Sequence, residues 1–170
     1  RKFSWARANP VGSFVSLQRH PIVFGLAASL FLLNIAQFST HSIWVLYTGY
    51  RYGWSAAQVG GSLAVVGLTA AIVQGGLARR IIPALGEVRS LVIGLTISAF
   101  AMVGYGAATE GWMIYVVLVV ASLGSISGPA AQGLISHQVA ANEQGAVQGA
   151  LTSLGSVAGF LAPVISTGLF

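Results

Sequence analysis

The sequence predicts an all-α membrane protein of five transmembrane helices, on three observations. Charged residues make up only 6% of the 170 residues and apolar ones 55%, whereas a soluble domain carries about a quarter charged residues. Long apolar runs recur along the chain; from Ala56 to Ala78 there are 23 residues without a charge. About 20 such residues cross a hydrocarbon core of about 30 Å. The basic residues sit at the ends of these runs, where they report orientation rather than a binding groove.

Residues 1–20 read as a cytoplasmic linker. Arg1, Lys2, Arg7 and Arg19 are interleaved with Phe3, Trp5 and Phe14. Two readings stay open, a segment lying on the anionic leaflet and a solvated connector. The first span is expected over 21–48. Pro21 suits a first helical turn, where its missing N–H is not needed, and Trp44 and Tyr47 mark the far interface. A short outer loop, 49–55, holds Arg51. The second span is expected over 56–80. A tight basic loop with Arg79, Arg80, Pro83, Gly86, Glu87 and Arg89 follows, then a third span over 90–108. Thr109, Glu110 and Gly111 make a minimal turn. The fourth span, 112–138, is expected to break at Gly128-Pro129, because Pro lacks an N–H and crowds the preceding turn. The fifth span, 145–170, runs to Phe170 with no flanking charge, so the sequence reads as a fragment lacking its last helix and a preceding half.

Placing the loop with Arg79, Arg80 and Arg89 in the cytoplasm puts the N-terminus of this segment there too. Of the eight basic residues only Arg51 is then outside. The net charge of +5 does not imply nucleic acid, since the basic residues form no stripe or groove. With no cysteine and three widely spaced histidines, no metal-ligand spacing occurs. The three acids, Glu87, Glu110 and Glu143, all fall in loops, so no carboxylate pair is set for acid–base work. Neither an enzyme nor a cofactor is expected.

Polar groups inside the spans are the candidates for function. In hydrocarbon an unpaired amide costs several kcal/mol, so Asn34, Gln37, Gln74, Gln132 and Gln148 must face protein or water. Asn34, Gln37 and His41, three and four apart, share one helix face. A substrate pathway and interhelical hydrogen bonding are both open, with the pathway favoured for Gln37 and Gln132. His41 is either a pH-sensing group or a hydrated imidazole near the outer interface. The chain holds 22 glycines. Gly145, Gly149, Gly155 and Gly159 are expected to admit close helix approach, as packing or as a sliding surface.

Several motifs occur together and in register: LGEVR at 85–89, IWVLYTGYRYGWS at 43–55, GPAAQ at 128–132, SHQV at 136–139, and QG-x-x-QG at 144–149 followed by Pro163 and Thr167. Over roughly residues 30–170 the chain resembles the C-terminal half of the Tet-like (tetracycline-resistance type) drug:proton antiporters of the major facilitator superfamily. The resemblance implies helices seven to eleven of a twelve-helix fold, in a bacterial plasma (inner) membrane, with the N-terminal half of the same transporter as partner. It implies a central cavity flanked by Gln37, Trp44, Gln74, Pro129 and Gln132, and a cytoplasmic gate at Gly86, Glu87 and Arg89, beside Arg79 and Arg80. It implies proton-coupled efflux of small amphipathic drugs by alternating access. Two positions depart from the pattern. Ala70 stands where many members carry a helix-eight histidine, and Ala84 stands where a loop arginine is common. Both bear on whether tetracycline itself is carried. A metabolite carrier of the same superfamily and a non-transporting membrane scaffold are the alternatives.

Overall fold

The computed structural model describes residues 21–141 and 143–169; the expected linker lies outside the described residues. Five helices are long and apolar enough to cross a membrane: α1 (Pro21–Tyr52), α2 (Ala56–Leu85), α3 (Glu87–Ala107), α4 (Gly111–Gln138) and α5 (Gln144–Leu169). The chain divides into two compact units, Arg1–Trp44 with Ile135–Phe170, and Val45–Leu134. Helices α1 and α4 each contribute to both.

In the first unit, the start of α1 packs on the end of α4 and the start of α5. Val23, Ala27, Ile135, Val139, Val147 and Ala150 form its buried core. Further along, Asn34 comes against Gly155 and Phe38 against Gly159, and Ser39 donates to the Ala162 carbonyl at 3.4 Å. Residue numbers rise together on both helices, so α1 and α5 run parallel. These glycines accept side chains at 3.7–4.0 Å from where a Cβ would stand, and among the described residues Gly145 and Gly149 meet nothing within 4 Å. The close backbone approach expected at 144–159 lies elsewhere.

It lies in the second unit, between α3 and α4. A Cβ on Gly94 would stand 2.7 Å from the Ser127 amide nitrogen and 3.0 Å from the Gly124 carbonyl oxygen. A Cβ on Gly124 would overlap the Ser98 hydroxyl and stand 3.0 Å from the Gly94 carbonyl oxygen. Toward the α3–α4 turn, Gly104 faces Val117 in the same way. As numbers fall along α3 they rise along α4, so the two helices form an antiparallel hairpin about Ala108–Glu110. Close approach of this kind substitutes for the hydrophobic drive that lipid does not supply between helices.

Helix α2 lies along α4 in parallel. Thr69 and Ser122 share a hydroxyl hydrogen bond of 2.7 Å, and Val73, Ala78 and Ile126 form a buried cluster supported by Ile81, Ile82 and Leu123. Helix α2 is continuous but not uniform. Val73–Leu77 is a π-helical turn in which the Ala78 amide reaches back to the Val73 carbonyl. Two glycines, Gly75 and Gly76, sit in it with no neighbour to clash with a Cβ.

Two expected boundaries shift, each for a backbone reason. The basic loop after α2 is mostly helix. Pro83 lies inside the last turns, where its missing N–H leaves only the carbonyl of Arg79 uncommitted, at an exposed position. The turn itself is Gly86 alone. Its φ of +83° suits glycine, its amide bonds to the Ile82 carbonyl and its carbonyl takes the Ser90 amide. The irregularity in α4 falls one turn before Gly128-Pro129, at Ser125–Ile126. Pro129 cannot donate to the Ser125 carbonyl, which instead takes the Gly128 amide at 3.3 Å. The chain there tightens locally and then resumes as helix from Ser127.

A double-mutant cycle on Thr69→Val and Ser122→Ala tests the α2–α4 bond. Unfolding of the purified protein in detergent should give a coupling of about 0.6–1.7 kcal/mol, the range for hydrogen bonds between membrane helices. Additive losses would show that the hydroxyls do not act on each other.

Candidate functional site

The candidate residues fall into three groups. The first is on α1, in the first unit. Asn34 and Gln37 are half-buried and His41 is exposed. The Asn34 amide nitrogen lies 4.0 Å from where a Cβ on Gly155 of α5 would stand. His41 Nδ1 donates to the Gln37 carbonyl at 2.7 Å, which sets the tautomer that carries its proton on Nδ1. Trp44 is buried, with 5% of its surface exposed, so its ring is packed within the protein.

The second group lies on α2 and α4 in the second unit. Gln74 is exposed in the π-helical turn. Such turns interrupt the regular ladder and recur at functional sites. Pro129 and Gln132 are exposed on the second part of α4, while their neighbours Ala130 and Ala131 are fully buried. The three-residue spacing of Pro129 and Gln132 puts them on one face, opposite the packed one.

The third group surrounds Gly86. Arg79, Arg80 and Arg89 are exposed and Glu87 is half-buried. Glu87 opens α3, where a carboxylate is favoured by the helix dipole. Its side chain reaches α4: a Cβ added to Gly133 would overlap the Glu87 carboxylate. Sequence reasoning did not single out Gly133. Its only signal is its place one residue after Gln132, on the side of α4 that continues the seam of small residues.

A second feature was legible in the sequence only through Tyr47, as an interface marker. Tyr47, Tyr52, Trp54 and Tyr115 form a clamp around the α1–α2 and α3–α4 turns. Tyr47 Oη donates to the Tyr105 carbonyl at 2.7 Å and Tyr52 Oη to the Ala108 carbonyl at 2.8 Å. Arg51 adds longer contacts of 3.3–3.4 Å to that same carbonyl, a cation at the C-terminal end of α3, where the dipole favours it. The Tyr47 and Tyr52 rings meet edge to face at 5.9 Å. Trp54 lies 5.3 Å from Tyr115, centroid to centroid, and against Gly111, where a Cβ would stand 2.6 Å from its indole nitrogen. Tyr115 Oη donates to the Gln58 carbonyl at 3.2 Å. Ser55 then starts α2 with a capping box, its hydroxyl accepting from the Gln58 amide and the Gln58 side chain accepting from the Ser55 amide.

Among the described residues, no three His, Cys, Asp or Glu side chains converge on a metal-sized site. A cavity of about 40 Å3 lies in the first unit, lined by Ile135, Ser136, Val139, Gln144, Val147 and Gln148. That is room for a water, far below the few hundred Å3 of a drug site.

The clamp is open to test. Tyr52→Phe removes one bond to the Ala108 carbonyl and should speed amide exchange at Gly53–Ser55 by roughly fivefold, the loss of about 1 kcal/mol. Exchange at the parent rate would show that the Tyr52 hydroxyl does not hold this turn.

The comparisons with known proteins agree with one another. The family described as the Major Facilitator Superfamily matches residues 2–163. The tetracycline resistance protein of class G from Vibrio anguillarum is 34% identical over 160 residues, covering 92% of this chain and 41% of that protein. The class C protein from Escherichia coli is 32% identical over 162 residues, covering 95% of this chain and 41% of its own length. The hippocampus abundant transcript-like protein 1 of Bos taurus is 24% identical over 164 residues, covering 96% of this chain and 33% of its own. The chain thus spans well under half the length of these relatives. No solved structure gives a significant match. With five membrane-spanning helices and a family match over most of its length, this chain belongs to the Major Facilitator Superfamily of membrane transporters.

Proposed function

We propose that the chain is the C-terminal half, helices seven to eleven, of a proton-coupled exporter of small amphipathic drugs in a bacterial inner membrane. The observation that carries the reading is identity of 32–38% to tetracycline resistance proteins across 85–95% of this chain. The Gly86 turn, with Arg79, Arg80, Glu87 and Arg89, faces the cytoplasm and serves as the gate of this half. Gln37, His41, Trp44, Gln74, Pro129 and Gln132 contribute the polar and aromatic wall of the pathway.

The placement of charge supports this division of labour. Glu87, Glu110 and Glu143 stand at helix ends, so these spans offer polar wall and gate contacts, and the proton-coupling acids belong to the other half. Alternating access then follows from differential binding. Protonation and drug each favour one access state, and each shifts the population by its preference between states. An amide wall suits this use, because Gln74 and Gln132 can satisfy their polar groups with water or drug as the cavity fills and empties.

Everted vesicles carrying the intact parent transporter test the proposal. A preset proton gradient should release protons on addition of tetracycline or another amphipathic drug. Release only with drugs other than tetracycline would keep the mechanism and assign the Ala70 departure to substrate choice. Silence across the panel from folded protein would reject drug export and leave a metabolite carrier. Gln37→Ala and Gln132→Ala should each lower transport roughly threefold to tenfold at normal expression, the worth of one hydrogen bond of about 1 kcal/mol. Unchanged transport in both would remove them from the pathway.

A further inference from the structure

We propose that Gly133 positions the Glu87 carboxylate, and that this contact and the Ser90 hydroxyl make the Gly86 end of the α3–α4 hairpin a latch that opens during transport. The latch rests on reading Glu87 as a gate residue. Three observations in the second unit support it.

The carboxylate of Glu87 lies where any side chain at residue 133 would have to be. With glycine at 133, a half-buried acid at the first position of α3 rests against α4 where a Cβ would displace its carboxylate.

One turn deeper on the same face of α3, the hydroxyl of Ser90 is buried. It has no hydrogen-bond partner among the described residues. Two other buried hydroxyls of this hairpin are satisfied by their own helix, Ser122 on the Leu118 carbonyl at 2.9 Å and Ser127 on the Gly124 carbonyl at 2.8 Å. A buried hydroxyl without a partner disfavours the arrangement that buries it. Parting of the helices at this end would give Ser90 water or the Glu87 carboxylate.

The closed end thus holds one contact that fits closely and one group that resists closure. The next turn, from Gly94 to Ser127, is locked backbone to backbone. A small difference between open and closed at the Gly86 end, above a fixed pivot, is what a gate needs.

The test uses the full-length transporter, free of other cysteines, with Ala131→Cys as reporter. Ala131 is 0% exposed, so a membrane-impermeant maleimide reaches it in everted vesicles only when the end parts. Gly133→Ala should raise the labelling rate at least fivefold. Adding Glu87→Asp, which keeps the charge and shortens the side chain, should bring the rate back toward the parent. Ser90→Ala should slow labelling at least threefold. An unchanged rate in Gly133→Ala, or a faster rate that Glu87→Asp does not relieve, would overturn the latch. Should Gly133→Ala fail to accumulate, Ser90→Ala decides alone: slower labelling supports the latch, and an equal or faster rate overturns it. Labelling is read without drug or proton gradient, so its failure and failure of the efflux reading are separate results.

Discussion

Two glycines, Gly94 and Gly124, let α3 and α4 meet at backbone distance, and the second unit is built on that meeting. Between membrane helices there is no water to expel, so association depends on close van der Waals contact and a few hydrogen bonds. Gly94 touches the Ser127 amide, and Gly124 touches both the Gly94 carbonyl and Ser98. With the crossing fixed there, the rest of the hairpin diverges or closes according to side-chain size. Val117 sits on Gly104 toward one end, and Glu87 sits on Gly133 at the other. Helix α2 joins through Thr69 on Ser122 and through the cluster at Val73, Ala78 and Ile126.

The two ends of this hairpin are finished differently. At the Ala108 end, a tyrosine pair and Arg51 converge on helix-end carbonyls, and Trp54 covers Gly111. Those bonds satisfy acceptors that α3 leaves open at its C-terminus. At the Gly86 end, one residue makes the turn, and a carboxylate and three exposed arginines surround it. The π-helical turn at Gln74 lies on the neighbouring helix, where two glycines make the backbone easy to deform.

The five spans were legible because length and absence of charge are enough to identify a membrane helix. The Tet-like resemblance was legible because LGEVR, GPAAQ and QG-x-x-QG stand in order, and the family match over residues 2–163 agrees with it. Details that depend on partner atoms were not legible. Pro83 looked like a loop residue, yet a helix near its end tolerates a missing donor. Gly128-Pro129 looked like the break in α4, yet the carbonyl that Pro129 cannot bond is four residues earlier and is taken by the Gly128 amide. Among 22 glycines, spacing drew attention to 144–159, whereas the close approach lies at Gly94 and Gly124, beside the shorter small-residue spacings Ser90–Gly94–Ser98 and Gly124–Gly128.

The hairpin is held at Gly94 and Gly124, where a Cβ would meet the backbone of the facing helix. An alanine substitution of every glycine in α3, α4 and α5, read as the thermal midpoint of the purified protein, measures this most directly. Gly94→Ala and Gly124→Ala should lower stability by about 1–3 kcal/mol, the cost of overpacking, while Gly145→Ala and Gly149→Ala should leave it unchanged or raise it. Equal tolerance at all these positions would contradict the account, since a seam that accepts a methyl group on both helices is not a backbone contact.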